Sequence, residues 1–135
     1  MNKEFMKMYP MGAAVGDTTD PAGNSDVAKV VTYAGTAGTL DASTYDNNKI
    51  AILLTTTSAM TYAIRNPNPG TIYVIEANGT GTNNRVVTFT GCTLNALGNN
   101  TATLDAQGEC MAVLCISATK YLLLNNIGAI VLSTV

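Results

Sequence analysis

Residues 49–77, KIAILLTTTSAMTYAIRNPNPGTIYVIEA, carry three β-type runs in succession: Ile50–Thr55, Ala59–Ile64 and Thr71–Glu76. The middle run alternates with period two, so Met60, Tyr62 and Ile64 share one face while Thr61 and Ala63 share the other. The two flanking runs are apolar at nearly every position, the pattern of strands covered on both sides. Between the second and third runs, Asn66-Pro67-Asn68-Pro69-Gly70 stops helix and ladder alike, because its two prolines have no backbone donor. A chain with this centre folds around a sheet with rigid connections.

The rest of the chain continues the pattern. β signals start near Val27 with VAKVVTYAG, and Thr39–Ala42 reads as a short strand before the turn Asp46-Asn47-Asn48. After the centre comes the glycine-rich loop NGTGTNN, residues 78–84, and then the strand Arg85–Thr90. Gly91 permits a kink before Cys92–Leu94. Leu97–Asn100 turns into Thr101–Asp105, and Glu109–Ser117 is the most apolar strand. Ala118–Lys120 is a tight connection to Tyr121–Asn125, and Ala129–Val135 closes the chain. With turn signals about every 8–12 residues, no helical period of useful length and no sequence repeat, the reading is all-β, an antiparallel sandwich or barrel. The apolar hairpins at 50–76 and 109–125 are expected to face each other as its two sheets.

Residues 1–28 differ from the sandwich domain expected over 29–135. They hold Met1, Met6, Met8 and Met11, four of the six methionines, followed by the polar string GDTTDPAGNSD. This reads as an extended N-terminal arm. Methionine is adaptable enough to fill an irregular groove, so Phe5, Met6, Met8, Tyr9 and Met11 are candidate partner contacts. The other reading is a leader without order, or one that packs back on its own domain. The opening has no continuous apolar h-region, which argues against a signal peptide and for synthesis in a cytoplasm.

Composition narrows the chemistry. Histidine is absent, which removes the usual general base, the commonest metal ligand and the physiological pH switch together. Seven basic residues are scattered along a chain of net charge −2, so no cluster is available for a run of phosphates. No apolar run approaches the length of a membrane span. Cys92, Cys110 and Cys115 are too few and too spread for a disulfide framework or zinc site, and read as small apolar residues, with a pairing to Cys92 left open. Cys110 and Cys115, an odd number of positions apart, belong to opposite faces of one strand.

Asp17, Asp20 and Asp26 could gather around calcium, but their spacing is not that of an EF-hand and a solvated acidic turn is commoner. Glu76 and Glu109 would have to meet across a cleft to act as an acid/base pair. Tyr62, Tyr73 and Tyr121 sit within apolar strands and read as core. No catalytic motif is found, so neither an enzyme, a cofactor nor a metal is expected. Charged residues make up only 12% of the chain, against about 25% on average. A surface so weakly charged, and rich in Thr and Asn, favours packing against other copies or partners.

The order TLDASTYDNNKIAILL, AMTYAIRNPNPGTIYVIEANG, NRVVTFTGCTLN, TATLDAQGECMAVLCISATKYLLLNNIG resembles a recurring β-domain of tailed-bacteriophage virion proteins. Thr39-Leu40, Thr61, Pro67–Gly70, Tyr73, Val87 with Phe89, Ala106 with Gly108, and Tyr121 stand at the places that carry the likeness, over about residues 38–128. Where such domains often carry a tryptophan after the last turn, this chain has Tyr121. The resemblance implies a jelly-roll-like sandwich, often trimeric, and a structural role on the virion without nucleic acid or membrane. With no shaft in the chain, it implies a capsid decoration protein on the head surface, held to the major capsid protein or other virion proteins partly by the arm. The alternative is a head-fibre tip that binds a receptor or glycan through loop amides such as Asn66, Asn68, Asn78, Asn83 and Asn84.

Overall fold

A computed structural model describes residues 28–45, 49–95 and 97–135. The candidate arm residues Phe5, Met6, Met8, Tyr9 and Met11, and the aspartates Asp17, Asp20 and Asp26, lie outside them. The described chain holds ten strands and one 3-10 turn, Ala42–Thr44. In order the strands are β1 Lys29–Tyr33, β2 Ala37–Asp41, β3 Lys49–Leu54, β4 Met60–Arg65, β5 Ile72–Ala77, β6 Arg85–Phe89, β7 Thr101–Leu104, β8 Cys110–Ser117, β9 Lys120–Ile127 and β10 Val131–Ser133. They form two five-stranded sheets, β1-β3-β5-β8-β9 and β10-β7-β6-β4-β2, whose inner faces enclose one core. The chain is an all-β sandwich.

Pairing inside the sandwich is mixed where antiparallel strands throughout were expected. β1, β3 and β5 run parallel in the first sheet, and β2, β4 and β6 run parallel in the second. The chain alternates between sheets for its first six strands and so winds as three stacked coils. A parallel pair needs a crossover of a dozen or more residues, and the strand in the opposite sheet supplies it each time. From β6 onward the chain reverses: β7 and β10 in one sheet, and β8 and β9 in the other, add antiparallel strands. This winding is not a jelly roll, whose strands pair antiparallel in Greek keys.

The expected opposition of 50–76 and 109–125 is also replaced. β3 and β5 share the first sheet with β8 and β9, and β5 pairs directly with β8, Ile75 opposite Met111. The reason lies in the connections. Neither 55–59 nor 66–71 is a two-residue hairpin turn of the type that folds a strand back beside its neighbour. Both instead carry the chain from one sheet to the other. Cys92–Leu94 forms only an isolated bridge, Thr93 to Lys120, in place of a strand.

Alternation does the rest. β4 reads buried-exposed along its length, with Met60, Tyr62 and Ile64 inside. Register stacks like with like across the core: Leu40, Ile64 and Phe89 in the second sheet, Ile52, Ile75 and Met111 in the first. Each fully covered side chain of this size contributes roughly 1.5–3 kcal/mol. Tyr62, Tyr73 and Tyr121 are core residues, as their strands implied.

Tyr121 packs its ring on Phe89 at 4.8 Å and edge-on to Tyr73 at 5.8 Å. The hydroxyls of Tyr73 and Tyr121 are buried without a hydrogen-bond partner among the described residues. Burial pushes both phenols up, that of Tyr73 to about 12. An unpaired buried polar group costs about 1–3 kcal/mol of desolvation, and replacing it with the apolar group of the same shape removes that cost. Tyr121→Phe is therefore expected to leave stability unchanged or raise it by up to about 1 kcal/mol, read as an unchanged or higher urea midpoint.

Candidate functional site

The winding gives the sandwich two unlike ends. Five of the connections between sheets lie at the upper end: residues 34–36, 55–59, 78–84, 105–109 and 128–130. The lower end carries 42–45, 66–71, 90–95 with 97–100, and the β8–β9 hairpin. The loop asparagines expected to act together are divided between the two. Asn66 and Asn68 are at the lower end, and Asn78, Asn83 and Asn84 are at the upper. Several are also engaged within the chain. Asn66 donates to Asp41 Oδ2 at 2.8 Å, Asn78 to Glu76 Oε1 at 3.2 Å, and Asn83 to the Thr57 carbonyl at 2.5 Å. Asp41 also accepts from Ser43 and lies 3.6 Å from Arg65. The bonds from Ser43 and Asn66 hold its carboxyl below the usual range.

Two buried charges organise the upper end. Arg85, wholly buried, donates to the Thr56 carbonyl from Nε at 3.3 Å and Nη2 at 3.0 Å, to Gly79 O at 2.7 Å and to Asn83 O at 3.1 Å. It thereby ties loop 55–59 to loop 78–84 through its planar fork of donors. Glu109 does the same on the other side with acceptors. Its Oε2 takes the amides of Asp105 and Ala106 at 2.7 and 3.2 Å, and its Oε1 takes that of Ala129 at 2.7 Å. Gln107 Nε2 bonds Asn78 O at 3.3 Å and links the two halves.

This geometry separates the carboxylates that a hydrolytic pair would need together. Glu109 is buried against backbone amides, whereas Glu76 pairs with Cys110 and points to the opposite side of the sheet from Ala77, the neighbour that bonds Glu109. Among the described residues no group of three or more potential ligands gathers as a metal site. Cys92, Cys110 and Cys115 are free thiols, each held above its usual range by burial. Cys115 faces the core and Cys110 the outer surface, as their odd spacing requires.

The remaining candidate is a surface. Outward positions of the second sheet are mostly hydroxyl-bearing: Thr39, Ala63 and Thr88 in one row, Thr61, Val86 and Thr103 in the next. The first sheet is different. Its central outward row runs Val30, Ala51, Val74, Ala112, with Asn125 at the edge. One row below are Ile72, Leu114 and Leu122, and one row above are Leu53, Cys110 and Ile127. Val30, Val74, Leu122 and Ile127 are exposed, between 41% and 60%. Lys49 and Glu76 are the charged side chains within these three rows.

Here the continuous apolar runs of β3 and β5 find their meaning. Their pattern is that of strands covered on both sides, yet the described chain covers only the inner one. The residues that make this face, Val74 and Leu114 among them, read in the sequence simply as core. Neither a family model nor a curated protein matches the chain.

Proposed function

We propose that this chain is a structural protein of a tailed-bacteriophage virion, a decoration protein that sits on the outer surface of the head and stabilises it. The observation that carries the reading is the exterior itself, hydroxyl-rich on one sheet and aliphatic on the other, which suits assembly with like copies and with other virion proteins. The buried charges Arg85 and Glu109 are engaged in holding loops, so the proposal assigns them no turnover. The likeness of residues 38–128 to virion β-domains supplies the setting. In this reading residues 1–28 grip the major capsid protein or a neighbouring copy, and covering Phe5, Met6 and Met8 contributes roughly 1.5–3 kcal/mol each before the cost of ordering the arm.

The alternative of a receptor- or glycan-binding tip draws less support. Its asparagines are split between opposite ends, and the side chains of Asn66, Asn78 and Asn83 are engaged internally. The test adds purified protein to heads assembled without it. Saturable coating and a higher temperature of head disruption are expected. Deletion of residues 1–28 should leave a folded domain that no longer sediments with heads. Failure of the full chain to bind heads, with binding to host cells or a glycan array instead, would replace decoration by the tip reading.

A further inference from the structure

We propose that the outer face of the first sheet packs against the same face of a second copy, about a twofold axis that lies in the interface and runs across the strands. The inference does not depend on the virion reading, because it concerns free protein.

Size comes first. Five strands about 4.8 Å apart, each presenting about five residues at about 3.3 Å, make a face of roughly 400 Å² in plan. Two such faces pressed together remove roughly 1,000 Å² of accessible surface, about the threshold for a stable interface. Shape agrees. The face carries branched aliphatics and alanines without an aromatic knob, so a second sheet of the same twist can lie on it at about 10 Å, as sheets do inside a sandwich.

Charge selects both the partner and the axis. Lys49 and Glu76 stand on adjacent strands at opposite ends of the face: Lys49 pairs with Ile72, Glu76 with Leu53. A twofold axis across the strands, through the row of Ala51 and Val74, exchanges the two ends. Lys49 of each copy then comes over Leu53 of the other, one strand away from Glu76, so two opposite-charge pairs form across the axis. The same axis lays the row of Leu114 and Leu122 over that of Cys110 and Ile127. A twofold axis along β5 instead sets Glu76 against its own copy, a like-charge contact in a desolvating interface. A threefold arrangement would bring this face against a different patch and leave the self-matching charges unused, since only a twofold contact is isologous.

The full chain is tested by sedimentation equilibrium across the micromolar range, with dimer mass expected. Val74→Arg, at the centre of the face and 41% exposed, should raise the dissociation constant by about 100-fold or more while circular dichroism stays unchanged. Thr88→Arg, on the outer face of the second sheet, should leave it unchanged. Lys49→Glu and Glu76→Lys should each weaken association about ten-fold, and the double exchange should restore it to within about three-fold. Monomer or trimer mass for the full chain, indifference to Val74→Arg, or a double exchange no better than the singles would each overturn the proposal. So would a monomeric full chain that dimerises only after removal of residues 1–27, because the arm would then be what covers the face.

Discussion

Arg85→Met lowers the free energy of unfolding by about 3–5 kcal/mol, which urea denaturation would register as a large fall in midpoint with little change in slope. Methionine fills much of the volume but donates nothing. The carbonyls of Thr56, Gly79 and Asn83 lose their partner together, and each buried acceptor left unpaired costs about 1–3 kcal/mol unless water reaches it. Against a typical total of about 5–15 kcal/mol the loss is severe. Arg85→Lys is expected to fall between, at about 2 kcal/mol, because an ammonium keeps the charge but cannot reproduce the planar fork that bonds Thr56 O twice. If Arg85→Met left the midpoint in place, the loops would not depend on this side chain, and its burial would be incidental.

The strands were legible because burial on one face writes a period of two into the sequence. Met60, Tyr62 and Ile64 could be assigned to the core without any knowledge of their neighbours, and the structure places them there. Choice of pairing partner leaves no such mark. Ile50 follows its partner Lys29 by 21 positions and Tyr73 follows Ile50 by 23, while in the other sheet Thr61 follows Ala37 by 24 and Arg85 follows Met60 by 25. Coils of such unequal length repeat in space without repeating in sequence, so the parallel winding stayed hidden. Arg85 gave a faint signal: a lone cation opening an otherwise apolar strand, which reads equally as an exposed strand end. What its guanidinium would meet depends on loops brought together only by the fold.

The same limit explains the surface. In β3 and β5 the sequence shows apolar residues on both faces, and it cannot say whether the second cover comes from the chain itself or from elsewhere. The structure removes one option among the described residues, since the second sheet covers the inner face alone. The apolar outer positions thereby change from a property of the core into a property of the surface. Large exposed apolar patches on soluble proteins mark interaction sites, and here the patch lies on the first sheet, whereas the second exposes Val131 beside its threonines.

Gly79→Ala is expected to cost about 3 kcal/mol or more, and Gly70→Ala only about 1–2 kcal/mol, although Gly70 is the residue with a left-handed backbone, φ 93°. A Cβ at Gly70 meets nothing within 4 Å, so its cost is conformational alone. One at Gly79 would collide with the Thr56 carbonyl oxygen and stand 2.6 Å from that of Thr55, both backbone atoms that cannot swing aside. Loop 55–59 must then move, and with it the oxygen that Arg85 binds twice. The two sites are thus parts of one device, and their losses should not add. The double variant Gly79→Ala, Arg85→Met is expected to fall short of the sum of the singles by about 1–2 kcal/mol, because the alanine has already displaced an acceptor the arginine needs. Strict additivity would mean that the loop yields to the methyl group while keeping its grip on Arg85, and the upper end would then be softer than its hydrogen bonds imply.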